Sequence, residues 1–352
     1  MTFFAGKSVR PRRSRFVLLG LLFLTFGSMA FLPTGYVIER PGQVFNVMGT
    51  VSGEPVISSD DLEVYSSESR FDVTTVSLVG NRDSTPSWVQ VLIAWADPEQ
   101  NVLPVSEVFP DNRSTQEIRA ESTAQMEISQ QDAIAAALTH LGYEVPTKLY
   151  VQSVLVDSPS SKVLVAGDIV VSAAGVLLEN FDQLRSEIQK TEGDPIEIVV
   201  ERDGVRKSFS ITPIKKEDLW VIGSMIAYIY DFPASVSLQL GDVGGPSGGL
   251  MFTLGIIDAL GEGSLAGDHH VSGTGTINAS GKVGNIGGIG LKMIAAKKSG
   301  ADLFLVPSGN CQEASGQVPE GLSVVSVRDL DDALAAIEQL KSGSEFSSLS
   351  CN

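Results

Sequence analysis

The chain has 352 residues, 43% of them hydrophobic and 19% charged, with a formal net charge of −17. That length accommodates two or three domains, and the apolar fraction is that of a globular protein. So acidic a chain repels a phosphate backbone, which excludes nucleic acid as an expected partner.

The first fifteen residues form a basic tail with five cations (Lys7, Arg10, Arg12, Arg13, Arg15) and no acid. Residues 16–32 continue as a run without a charge, roughly 25 Å long as a helix. Basic residues ahead of such a run stay in the cytoplasm, and the chain beyond it is exported. The expectation is a single-pass transmembrane anchor with a short cytoplasmic N-terminus and an extracytoplasmic body. Ser28-Met29-Ala30 has the small-x-small form of a signal-peptidase site, so removal of the segment is the competing reading.

Residues 34–126 read as β-rich. Phe71 to Leu78 alternates like a strand, whereas Trp88 to Trp95 fits either a buried strand or a short helix. No chemistry is visible in this segment, and its expected role is to space or brace the domains C-terminal to it.

Gln130 to Leu138 reads as a helix with Ser129 as its N-cap. Strands are expected over Leu149–Val156, Asp168–Ala173 and Ile196–Arg202, an amphipathic helix over Phe181–Lys190, and a hairpin turn at Asp203-Gly204. These elements describe a small, partly open barrel over residues 127–215. Val154 to Ser160, Leu164-Val165-Ala166-Gly167-Asp168-Ile169-Val170 and Ala174-Gly175 resemble a PDZ domain. The resemblance implies a peptide groove flanked by Asn180 to Lys190. It puts the carboxylate-binding loop at Leu141, Gly142 and Tyr143, after His140, with the peptide added as a strand beside Tyr143-Glu144-Val145. A PDZ fold used only for packing is the alternative.

From about residue 218 to 341 the text is glycine-rich and alternates strand with helix, an α/β pattern, and 342–352 reads as a frayed tail. Gly244-Gly245-Pro246-Ser247-Gly248-Gly249 opens an apolar helix, and Lys292 opens a second. A serine hydroxyl needs a base, and a lysine desolvated in an apolar niche can be that base without a histidine. Gly245, Pro246 and Gly248 permit a sharp turn, and amides at the start of the next helix can face an oxyanion. Taken singly, Ser247 reads as a helix cap and Lys292 as a solvated side chain. His269 and His270 offer a Ser-His alternative.

Between serine and lysine lie Gly273-Thr274-Gly275-Thr276-Ile277 and Gly281-Lys282-Val283-Gly284-Asn285-Ile286-Gly287-Gly288. With Gly245-Pro246-Ser247 and Lys292-Met293-Ile294-Ala295-Ala296, this text resembles the proteolytic domain of Lon peptidases over about residues 220–340. The resemblance implies Ser247 as nucleophile, Lys292 as general base, Thr274 as a hydroxyl that orients the lysine, and a hexameric ring. Many Lon enzymes carry an acid where this chain has Gly244. Anchor, PDZ-like domain and Lon-type domain together resemble the bacterial YlbL-like proteins. The implied function is an ATP-independent serine endopeptidase at the bacterial cell membrane that acts on unfolded or flexible polypeptides. A non-catalytic PDZ adaptor with an inert Lon-like domain is the alternative. No Gly-x-x-x-x-Gly-Lys-Ser/Thr, HExxH or cysteine cluster is present, so neither cofactor nor metal is expected. Cys311 and Cys351 read either as a disulfide closing a ~40-residue loop or as two unrelated thiols.

Overall fold

A computed structural model describes residues 12–29, 32–110, 114–241, 243–261, 264–344 and 346. The chain forms two units, Met1–Ala137 with Val236–Asn352, and Leu138–Ser235. In chain order the first unit begins with helix α1 (Arg12–Met29), strands β1 (Tyr36–Asn46) and β2 (Arg70–Val79), and helix α2 (Trp88–Ala96). Strand β3 (Asn101–Pro104) and helix α3 (Thr115–His140) come next. The second unit holds β4 (Thr147–Val154), β5 (Ile169–Ala173), α4 (Phe181–Lys190), β6 (Ile196–Arg202), β7 (Val205–Ile211) and β8 (Ser224–Tyr230). The chain then returns to the first unit with α5 (Gly249–Leu260), β9 (His270–Gly273), α6 (Ile289–Ser299), β10 (Leu303–Pro307), β11 (Ser323–Val327) and α7 (Leu330–Lys341).

Helix α1 starts within the arginines, so its uncharged part, Phe16 to Met29, is about 21 Å long against a hydrocarbon core of about 30 Å. Among the described residues no helix is long and apolar enough to cross a membrane. The span expected over 16–32 is therefore not formed as such; residues 30 and 31 lie outside the described residues. Residues 88–96 are a helix, because Ser87 and Gln90 form a reciprocal capping box that satisfies its first amides.

The segment expected as a spacer is instead half of the principal sheet, whose order is β11-β10-β9-β2-β1-β3. Strands β9, β10 and β11 run parallel to one another, and β9 also runs parallel to β2. Strand β1 is antiparallel to both β2 and β3. Periodicity shows that β2 is a strand, but its partner lies some 200 residues away in the text, where no local pattern points to it. The junction is stitched by Asp72, which is fully buried. It accepts two bonds from the Arg70 guanidinium, at 3.0 and 2.9 Å, and lies 2.6 Å from His270 Nε2 on β9. Burial alone pushes the Asp72 carboxyl up, but His270 and Arg70 outweigh it and hold the group below its ordinary range.

Helix α3 begins at Thr115, fourteen residues before the expected N-cap, which leaves Ser129 buried in mid-helix. In the second unit the sheet order is β7-β6-β5-β4-β8. Its core is Leu149, Val151, Leu184, Ile198, Val200 and neighbours. The hairpin at Asp203-Gly204 is present, both residues having positive φ. Strand β8 lies beyond the limit of 215 expected for this domain and completes it.

Cys311 is disulfide-bonded; Cys351 lies outside the described residues, as does most of the tail after residue 344.

Replacing Asp72 by Asn leaves the Arg70 guanidinium and the His270 ring without their carboxylate and should destabilise the first unit by about 2–3 kcal/mol. Thermal unfolding checks this. Because the folded-state pKa is depressed, the contribution of Asp72 is present at neutral pH and disappears as pH falls below the carboxylate range. The loss from Asp72→Asn should therefore shrink in acid.

Candidate active site

Ser247 lies in a short 3-10 turn, Pro246–Gly248, that runs into α5. Gly245 sets the turn with φ 84°, a left-handed value that only glycine takes without strain. The turn is clamped by the segment leaving β9. Ser247 carbonyl oxygen accepts from Gly275 N at 2.8 Å and from Thr274 Oγ1 at 2.9 Å. Strand β9 ends at Gly273, which frees Thr274 and Gly275 to grip the serine loop.

Lys292 enters from the first turns of α6, whose N-cap Gly288 has φ 70°. Its ammonium nitrogen donates to Ser247 Oγ at 2.7 Å and to Thr274 Oγ1 at 2.9 Å. The side chain is buried at 4% exposure, and burial lowers its pKa to about 8. No other influence opposes that shift. The Thr274 hydroxyl has its proton committed to the Ser247 carbonyl, so it can only accept from the amine. One of the three positions on nitrogen is held there, and a second faces Ser247 Oγ.

Beside the pair is a cavity of about 520 Å³. Its wall includes Glu39 and Phe45 of β1, the stretch Val73 to Ser77 of β2, and Met126 of α3. Nothing in the local sequence places any of these at the site. Helix α3 braces the serine loop on one face, through two residues one heptad apart. Ser122 carbonyl accepts from Gly245 N at 2.9 Å, and Ser129 Oγ donates to the Pro246 carbonyl at 2.9 Å. A Cβ on Gly244 would stand 2.3 Å from Ser122 Oγ. The space that a side chain at 244 would need is thus taken by a helix hydroxyl. Gly248 is buried, with Phe252 and Val73 close against it.

The histidines are engaged elsewhere. His270 is tied to Asp72, His269 Nδ1 lies 3.8 Å from Asp302, and His140 ends α3. Among the described residues no group of side chains is placed to hold a metal.

Residues 241–339 match the Lon protease (S16) C-terminal proteolytic domain. The match supports a serine peptidase. Similar curated proteins are a Lon protease of Mycoplasma mobile, 38% identical over 91 residues, and Lon protease 2 of Bacillus subtilis, 32% identical over 107. These alignments cover 25% and 30% of this chain but only 11% and 18% of those proteins. Structural neighbours include the PDZ domain of an SdrC-like protein from Listeria monocytogenes. It is 27% identical, with 22% of this chain and 85% of that one covered and a TM-score of 0.21.

Leu141, Gly142 and Tyr143 follow directly on the end of α3. They cap α3: Gly142 N bonds to the Thr139 carbonyl and Tyr143 N to the Leu138 carbonyl, with Gly142 at φ 87°. The glycine that resembles a carboxylate-loop residue is there because a helix end needs a left-handed position. Residues 143–145, beside which a peptide was expected to add, form no strand, and β4 is paired with β8. A cavity of about 490 Å³ lies between β8 and α4, bordered by Phe181, Arg185, Ile188, Trp220, Ile222 and Ile226. Its end is closed by Gln189, which bonds both to Trp220 N and to the Trp220 carbonyl, at 2.9 and 2.8 Å. The run Leu219-Trp220-Val221-Ile222-Gly223 before β8 is an apolar stretch ending in glycine, a signal that was open to reading in the sequence.

Gly244→Ala should displace the serine loop and depress turnover at least tenfold. Adding Ser122→Ala removes the hydroxyl it strikes and should restore most of that turnover. Steady-state kinetics on the two variants, with dichroism to monitor folding, measures both effects.

Proposed function

We propose that this chain is a membrane-associated, ATP-independent serine endopeptidase in which Ser247 attacks the scissile carbonyl and Lys292 is the general base. The observation that carries the reading is the 2.7 Å contact between a buried amine and the serine hydroxyl. Neutral Lys292 takes the Oγ proton as oxygen bonds to carbon, and the resulting ammonium returns it to the leaving amine. A water, deprotonated by the same amine, then releases the acyl group from Ser247. Backbone amides where the 3-10 turn enters α5 point to where the oxyanion forms, helped by the helix dipole. A relaxed polypeptide in extended form suits a site whose wall is the strand segment Val73 to Ser77. Action without ATP is what the resemblance to the YlbL-like proteins implies.

The second unit is proposed to bind substrate or a regulatory peptide as an added strand on β8, beside α4. Strand β8 ends its sheet with one neighbour, and apolar residues line the adjoining cavity. A membrane-associated, extracytoplasmic location of a bacterial enzyme is proposed from the basic tail, the uncharged run after it, and the disulfide at Cys311. A hexameric ring is the assembly that the Lon resemblance implies.

The full chain in detergent should cleave casein. Ser247→Ala and Lys292→Ala should each lower the rate at least a hundredfold while leaving the fold unchanged. Below about pH 8 the base is mostly protonated, so the rate should rise about tenfold per pH unit and level off above it. A rate indifferent to pH between 6 and 9, or retained in Lys292→Ala, would overturn the assignment. For the second unit, Ile226→Asp should weaken binding of a peptide with an apolar C-terminus about tenfold, whereas Tyr143→Ala should leave it unchanged. Fluorescence anisotropy reads both affinities.

A further inference from the structure

Helix α2 has two apolar faces. Its sequence, Trp-Val-Gln-Val-Leu-Ile-Ala-Trp-Ala, contains a single polar residue, Gln90. Val91 and Ala94 are buried, and Trp88 and Trp95 set their rings edge-on to Tyr36 at 6.2 and 5.8 Å. The opposite face is also apolar, and it is in solvent. Val89, Leu92 and Ile93 have the i, i+3, i+4 spacing of one helix stripe, with Trp95 at its margin. Their exposures are 38, 45, 62 and 55%. A helix apolar on all sides is normally enclosed, so something covers this face.

The chain's own connectivity indicates what. The start of α2 is bound to the strand segment after α1: Pro33 bridges to Ser87, and Thr34 bonds through both N and Oγ1 to the Pro86 carbonyl, at 3.2 and 2.8 Å. The last residue of α1, Met29, is four residues before Pro33 and cannot be farther than about 14 Å from it. The uncharged part of α1 is exposed at Phe16, Leu18, Leu21, Leu22 and Leu24, and Leu32 is exposed as well. Two helices with apolar faces in solvent thus meet at one junction. The first is too short to cross a bilayer, and the second carries an indole, the side chain best suited to the boundary between headgroups and acyl chains.

We propose that α2 lies flat on a lipid bilayer, with Val89, Leu92, Ile93 and Trp95 in the headgroup–acyl boundary next to the N-terminal helix. The inference rests on the membrane-associated reading of α1. Helix α2 has no charged residue, so the contact is apolar and does not need anionic lipid. It gives the first unit a second attachment, which fixes the side that the catalytic unit turns to the membrane instead of leaving it on a single tether.

The test uses the full chain with Trp88→Phe and Trp220→Phe, which leaves Trp95 as the sole tryptophan of the three in the sequence. The protein is reconstituted with phosphatidylcholine vesicles, recovered by flotation, and compared in ordinary and acyl-brominated lipid. The expected result is flotation, blue-shifted Trp95 emission and loss of more than half its intensity in brominated lipid. Adding Ile93→Glu should abolish the quenching without abolishing flotation. Flotation with water-exposed, acrylamide-quenched Trp95 would overturn α2 docking alone. Blue-shifted emission insensitive to bromine would overturn it in favour of a second protein copy on that face. Failure to float would remove the membrane reading and this proposal together, leaving peptidase activity to be judged by the casein assay. On the unmodified chain, hydrogen exchange should slow over residues 88–96 when vesicles are added; unchanged exchange in floated protein would also refute the docking.

Discussion

An amine buried against two hydroxyls is the constraint around which the first unit is organised. Desolvation lowers the pKa of Lys292 to about 8, so at neutral pH roughly a tenth of the groups are in the neutral form. A carboxylate within reach would hold the proton on nitrogen and silence the base. Among the described residues the hydrogen-bond partners of Lys292 are neutral, Ser247 Oγ and Thr274 Oγ1. Met293, Ala295 and Ala296 are buried on the same helix as Lys292 and exclude water from its base. Four segments must converge for this: the serine turn, the break after β9, the start of α6, and helix α3 behind the loop.

The placement of β1 and β2 answers the same requirement. Strand β9 delivers Thr274 and needs a partner on each side, β10 on one and β2 on the other. Asp72 holds that second junction through His270. Because β2 also lines the cavity beside Ser247, the N-terminal segment is both sheet and substrate wall. Helix α3 adds a brace in which serines substitute for loop side chains. Its hydroxyl at 122 fills the volume above Gly244, and its hydroxyl at 129 fixes the Pro246 carbonyl and with it the peptide plane leading to Ser247.

The second unit shows how one residue pattern serves two purposes. Leu141-Gly142-Tyr143 has the look of a carboxylate loop, yet a helix C-cap imposes the same demand for glycine at positive φ. The strand that borders the cavity comes from the other end of the unit, after Gly223, so the order of elements along the chain differs from the one the resemblance suggested. The apolar run Leu219 to Gly223 carried the local signal for that strand, but a run of this kind does not say which edge of the sheet it takes.

Elements with strong local signals were legible from residue order alone: Phe181 to Lys190 as a helix, Ile196 to Arg202 as a strand, Asp203-Gly204 as a turn. So were Ser247 and Lys292, because glycine-rich turns and helix starts restrict which side chains can present a nucleophile and a base; Thr274 came only from the resemblance to Lon peptidases. Residue order did not reveal that residues 36–79 join the sheet of residues 270–327, that α3 starts at Thr115, or that Ser122, Ser129 and Met126 face the serine loop. Those depend on strand pairing and packing between residues 120 to 200 positions apart. Backbone hydrogen bonds are the same for any strand, so partner choice is decided only when the buried faces close on one another. The pKa of Lys292 belongs to that last stage too, since the burial that lowers it exists only once the chain has packed.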